Sequence, residues 1–325
     1  MSNQPDGKTC LVVGAINVDV LGRVDRFCNR DEAVEVKNLT IAPGGHASNC
    51  AIAMSRLGKG VNLCVRLSGC VGADEFSRIA LQALQTSGID TAHITRTGEA
   101  QTGQVFIPVL PNGDKALYVA RGANEYLSAE ALAAAIADCE VIVVFDPPLR
   151  LIPTLANGVA SKTVIFAPGG LVSSVSKHIL FPLLKASDIL VVNRPESASM
   201  TGISEPKSAA AKLATEWNLS AIVTVGAEGC WVAQPGQPVE HCPSFAVEVV
   251  DSTGAGDAFV AGLTVALSLG KPLLLSAQIG CAVGALATQS LGAQAAPPSF
   301  SEVKDLIAQA QLMTAPPVGV HASRK

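Results

Sequence analysis

Asp251-Ser252-Thr253-Gly254-Ala255-Gly256-Asp257-Ala258-Phe259 joins a β-branched run, Phe245 to Val250, to an apolar run without charge or proline, Ala258 to Leu269. The first run reads as a strand and the second as a buried helix. A turn of small residues between them leaves amide N–H groups without partners at the positive end of the helix dipole. Such a cradle suits an anion such as a phosphate. Asp257 stands out, because a carboxylate inside an anion cradle would repel its ligand. It makes sense as a base facing a hydroxyl, while the amides hold the phosphoryl group that the hydroxyl attacks. Helix capping alone is the plainer alternative.

Working outward, strands and helices alternate through the body of the chain. Thr9–Gly14, Asn62–Leu67, Val141–Phe145, Thr163–Phe166, Ile189–Val192 and Ala221–Val225 read as strands. Helices are expected at 47–57, 74–87, 128–137, 174–186, 195–201 and 206–217. That alternation predicts an α/β architecture, a doubly wound, mostly parallel sheet flanked by helices. Other segments alternate polar with apolar residues, namely Asn17–Leu21, Ala33–Ile41 and Gln101–Leu110, with Tyr118-Val119 after the turn Pro111-Asn112-Gly113-Asp114. They predict a small antiparallel β-sheet lid built from about 17–41 and 101–120. The expected domain is a single unit over 9–313, with tails at 1–8 and 314–325.

Ligands in open α/β sheets lie beyond the carboxyl ends of the strands. That rule selects Asp146, Asn193, Glu196, Thr224, Gly226 and Gly229, together with the opening stretch. Pro43-Gly44-Gly45-His46-Ala47-Ser48-Asn49 is a second small-residue junction of strand and helix. Asn17 and Asp19 share one face of their strand, either as solvated edge positions or as a grip on ligand hydroxyls. No P-loop and no dinucleotide fingerprint occur, which argues against those nucleotide folds.

The 325 residues carry a net charge of −4, 4% aromatics and no basic cluster, so a nucleic-acid partner is not expected. Nine cysteines without a Cys-x-x-Cys read as free thiols in a reducing compartment, and a cytoplasmic location is expected. The start of the chain, with Asp6 and Lys8, does not read as a secretion signal. Pro272 to Ser301 contains no charge, but its polar residues and three prolines favour a buried helix over a membrane span.

Taken in order, these motifs resemble those of the PfkB/ribokinase family of carbohydrate kinases, over nearly the whole chain. Gly44-Gly45-x-x-x-Asn49 is similar to the family's first motif and Asp251 to Asp257 to its second. Asn193-x-x-Glu196 and Thr224-x-Gly226-x-x-Gly229 resemble its magnesium–phosphate and nucleotide elements. Asn17-x-Asp19 and Gly122-Ala123-Asn124 resemble elements of its ribokinase-like branch. The resemblance implies transfer of the γ-phosphoryl group of ATP to a hydroxyl of a small sugar. A nucleoside acceptor, or a silent sugar or nucleotide sensor on the same fold, remain the alternatives.

It also implies roles. Asp257 is the base, and the amides of Gly254, Ala255 and Gly256 form the anion hole. Asn17, Asp19, Gly44, Gly45, His46, Asn49 and Asp146 contact the acceptor. Asn193, Thr224, Gly226, Gly229 and Thr253 serve the nucleotide. Glu196 holds Mg2+ through water, Asp251 and the Thr253 carbonyl hold a K+ ion, and the lid forms a homodimer. His46 stands where a lysine is usual and Asp146 where a glutamate is, so the acceptor is left open between sugars and nucleosides.

Overall fold

The computed structural model describes residues 8–59, 61–294 and 296–314. The expected tails lie outside them, except for Lys8, which opens the first strand, and Thr314, which closes the last helix. The strands in chain order are β1 (Lys8–Val13), β2 (Asn17–Arg23), β3 (Leu39–Gly44), β4 (Leu63–Gly72), β5 (Asp90–Thr97), β6 (Gly103–Val109) and β7 (Tyr118–Ala120), followed by β8 (Val141–Phe145), β9 (Thr163–Ala167), β10 (Ile189–Asn193), β11 (Ser220–Thr224), β12 (Cys230–Ala233) and β13 (Glu240–Cys242).

Nine of them form one sheet in the order β13-β12-β11-β10-β9-β8-β1-β4-β5. It is parallel from β11 to β5 and ends in two antiparallel strands, β12 and β13. Helices cover both faces, which is why Val141–Phe145 is apolar at every position and wholly buried. Alternate residues of β1 enter two cores: Cys10 and Val12 pack on one side, Leu11 and Val13 on the other. The chain runs from β1 out to β4 and β5, then returns to β8 on the other side of β1. The strand order therefore reverses between β1 and β8, and a ligand crevice opens at their carboxyl ends.

The smaller sheet has the order β3-β2-β6-β7. It is mixed rather than antiparallel, because β2 pairs parallel with β6. The cause is topological. β2 continues from β1 and β6 follows β5, and both leave the large sheet in the direction of those parallel strands. β3 opens at Leu39 rather than Ala33, and the exposed stretch before it bonds back to Arg23 of β2 through Lys37 and Asn38.

Two further expectations fail at particular residues. Phe245–Val250 is not a strand; Val249 and Val250 are 62% and 60% exposed, and the Val250 amide donates to the Thr288 carbonyl. The Asp251 amide bonds to the same carbonyl, so the end of the segment is tied to the close of a helix rather than to the outer edge of β13. The helix expected at 174–186 is two helices, Leu171–Ser174 and Lys177–Lys185, parted by extended backbone at Val175. The helix expected from Ala258 starts earlier, at Ala255, and ends at Ser268. The uncharged segment after Pro272 forms the helix Leu273–Ala287, and no described helix is long and apolar enough to cross a membrane.

Candidate active site

The helix Ala255–Ser268 is set by Gly254, its N-cap, at φ 76°. An L side chain is strained there, and a methyl on Gly254 would lie 2.5 Å from the Ala293 Cβ. This left-handed turn aims the first amides of the helix outward. The Ala255 amide makes a long turn bond to the Ser252 carbonyl, 3.3 Å, whereas among the described residues those of Gly254, Gly256 and Asp257 have no acceptor. Gly256 faces open space.

One turn in, Asp257 is buried and held by two donors. Asn49 Nδ2 donates to Oδ2 at 2.8 Å, and His46 Nδ1 lies 2.8 Å from Oδ1. Both partners come from the first turn of the helix His46–Gly58, so the two glycine-rich junctions meet at this carboxylate. The other ring nitrogen of His46 faces Asp146 Oδ2 at 3.7 Å, and the ring stacks over Phe145 at 6.2 Å between centroids. Asp146 lies just past β8, at the sheet's switch point, and its carbonyl accepts from Arg121 Nη2 at 2.8 Å.

His46 is thus a cation among carboxylates. Attraction to Asp257 outweighs desolvation and, with the Asp257 hydrogen bond and the charges of Asp146 and Glu196, raises its pKa to about 10. Half of the side chain, 52%, faces the open pocket, where solvent screens part of this attraction. Burial pushes the Asp146 and Glu196 carboxyls upward, and it raises Asp19 to about 6. A linkage prediction follows for His46, whose ordinary value is about 6.5. Its folded pKa is raised, so its contribution to stability is complete below pH 6.5 and is lost as pH rises through 10. The urea stability of wild type minus that of His46→Gln should therefore shrink between pH 6 and pH 10. An equal difference at both values would show that the contact carries no charge.

Asn17 is buried and accepts from Asn124 Nδ2 at 2.8 Å, while Asn124 Oδ1 accepts from the Ile16 amide. This clasp fixes the start of the lid strand that carries Asp19, whose carboxylate lies directly over Gly44. At the carboxyl end of β10, Asn193 and Glu196 form a reciprocal capping box. Glu196 N donates to Asn193 Oδ1 at 2.9 Å, and Asn193 N donates to Glu196 Oε2 at 2.9 Å. Thr224 ends β11 beside them, and Gly226 and Gly229 shape the turn that follows.

A cavity of about 110 Å³ brings His46, Asp257, Gly256, Asn193, Glu196 and Thr224 together. A larger one, about 660 Å³, opens between the lid and Val249–Thr253. It reaches Asp251 and Thr253 but not Asp257, which lines the smaller cavity. Burial alone would raise Asp251, but hydrogen bonds from Thr253 Oγ1, Thr253 N and Gly292 N hold its carboxyl below the usual range.

Two contributors were not visible in the sequence. Gln294 Nε2 donates to Asn49 Oδ1 at 2.8 Å, and its buried Oε1 has no partner among the described residues. Lys115, in the lid, donates through Nζ to Thr253 Oγ1 at 2.7 Å. Neither lies in a motif; only the folded chain brings them in.

A reversing parallel sheet, a bare helix N-terminus and a buried carboxylate beside it define a phosphotransferase that acts on an alcohol group. The chain belongs to the pfkB family of carbohydrate kinases, whose model matches residues 8–299. It is 30% identical to the ribokinase of Haemophilus influenzae over 316 residues, covering 93% of this chain and 99% of that one. The ribokinase structure from Thermotoga maritima superposes with a TM-score of 0.82 at 26% identity, covering 93% of this chain and 99% of that one. That of Arabidopsis thaliana ribokinase, complexed with ribose and ATP, superposes with a TM-score of 0.83 at 23% identity, covering 93% and 99%. The ribokinase-like α/β fold with its smaller sheet is therefore established, and so is the chain's place in a family of carbohydrate kinases.

Proposed function

We propose that this chain moves the γ-phosphoryl group of ATP to a hydroxyl of a small sugar, with Asp257 as base and the amides of Gly254, Ala255 and Gly256 as the anion hole. One observation carries this reading: the buried Asp257 carboxylate stands in the first turn of a helix where, among the described residues, the amides of Gly256 and Asp257 lack acceptors. Each carboxylate oxygen has more than one acceptor direction. Oδ1, although it faces His46, can therefore still take the proton of an incoming hydroxyl. The amides then meet charge building on the phosphoryl oxygens, the main source of catalysis in a loose transition state.

Asn17, Asp19, Gly44, Gly45, His46, Asn49 and Asp146 form the acceptor side in this reading. Thr224, Gly226, Gly229, Asn193 and Thr253 form the nucleotide side. The oxygen donors of Asn193 and Glu196 fit Mg2+ bound through its own waters, and Mg2+ would neutralise phosphate charge. The Asp251 carboxylate and the Thr253 carbonyl fit K+ behind the cradle. The free thiols suit the cytoplasm.

The small sheet supports a homodimer. Ile41, Val20, Phe106 and Tyr118 are paired in register across its strands, and Ile41, Phe106 and Tyr118 are exposed. Phe106→Asp should convert a dimer to a monomer in sedimentation; a monomeric wild type would remove this proposal.

An ATP-consumption screen of the pure protein against pentoses, hexoses and nucleosides tests the function. Turnover with a sugar supports it, turnover with nucleosides alone replaces the acceptor class, and none with any acceptor overturns it. Asp19 supplies a sharper check. With its pKa raised to about 6, its carboxylate is lost as an acceptor of sugar hydroxyl protons below that pH. The KM of the sugar should then rise as pH falls through 6, while that of ATP stays level.

A further inference from the structure

Three thiols converge in the core away from the kinase site. Cys230 opens β12, Cys242 closes β13, and the two are direct cross-strand partners. Cys281 reaches them from the helix Leu273–Ala287, and its thiol donates to Cys230 Sγ at 3.8 Å. All three sulfurs lie within 4.8 Å of one another, and no other such trio of Cys, His, Asp or Glu ligand atoms occurs among the described residues. The residues are 0%, 3% and 5% exposed, within an apolar core that also contains Ile222 and Val232.

We propose that Cys230, Cys242 and Cys281 form a binding site for one thiophilic monovalent d10 cation, copper(I). Metal–thiolate bonds are about 2.3 Å, so an ion centred in the plane of three sulfurs needs them about 4 Å apart. The observed trio needs only slight contraction. Soft thiolates select copper(I), zinc or iron–sulfur clusters. Zinc and the clusters want four ligands, whereas burial here shuts out a fourth from water. Copper(I) is satisfied by three.

On loading, each ligating sulfur gives an electron pair to the ion and its proton to solvent, and copper remains copper(I) throughout. The ion would pin the antiparallel edge of the sheet to the helix Leu273–Ala287. Because Cys230 directly follows Gly229, it would also stiffen the turn of the nucleotide segment.

The test is anaerobic titration of the reduced full-length protein with copper(I) against a chromophoric chelator. Wild type should withhold one equivalent, with a rise in melting temperature. Cys230→Ala, Cys242→Ala and Cys281→Ala should each lose it, and the exposed Cys28→Ala should keep it. No equivalent in wild type, or one retained by all three core variants, would overturn the site and leave the thiols as small core hydrophobes. X-ray absorption on loaded wild type decides the matter if a core variant fails to fold. Three sulfurs at about 2.3 Å support the site, and nitrogen or oxygen scatterers overturn it. Retention of zinc in preference to copper would overturn the choice of ion.

Discussion

Asp257→Asn should lower kcat by about 10²–10⁴-fold, the usual worth of a general base, while ATP binding changes little. The nucleotide side proposed above is lined by Asn193, Glu196 and Thr224, none of which depends on the Asp257 charge for its hydrogen bonds. Asparagine keeps one acceptor for Asn49 Nδ2, and its new NH2 turns toward His46 Nδ1. The ring can accept that bond only as neutral imidazole. His46 should therefore lose its raised pKa in the variant, a change that NMR titration of the ring would read. Retention of more than about a tenth of wild-type kcat would remove Asp257 as the base.

Gly45→Ala should cost about 3 kcal/mol of stability and raise the acceptor KM about tenfold or more. Gly45 sits at φ 95°, and a methyl there would lie 2.5 Å from the Ala15 carbonyl oxygen and 2.8 Å from the Asn17 amide nitrogen. Backbone strain at such a position is worth about 1–3 kcal/mol and overpacking a similar amount. Both obstacles are backbone, so no side-chain rotation relieves them. The Ala15–Asn17 link must move, and it carries the lid strand with Asn17 and Asp19. Loss of a single hydrogen bond from a charged group to the acceptor, about 1.5–3 kcal/mol, suffices for the KM effect. A stability loss under about 1 kcal/mol in urea would show that the junction yields freely.

The parallel body was legible because its strands are apolar at every position and its helices alternate with them, as at Val141–Phe145. The edges were not. β5, with its polar Asp90, His93 and Arg96, and the short β12 and β13 lack a clear period, and neighbouring strands stabilise them. Phe245–Val250 misled for the opposite reason, a strand-like pattern in a segment whose end is tied to the Thr288 carbonyl instead of to a sheet. In the site, the two small-residue junctions were found because backbone geometry demands glycine there. The contact of His46 with Asp257, 211 positions apart in the chain, depends on helix placement alone. Gln294 and Lys115 were silent because ordinary polar side chains in loops carry no pattern.

The bond from Lys115 to Thr253 has a consequence for fidelity. Thr253 immediately precedes Gly254, so the tip of the lid braces the anion cradle from behind. In the kinase reading proposed above, outward movement of the lid would release this brace just when water could replace the sugar as nucleophile. A stray water molecule would then meet a slackened cradle, and the nucleotide would survive until a true acceptor drew the lid shut.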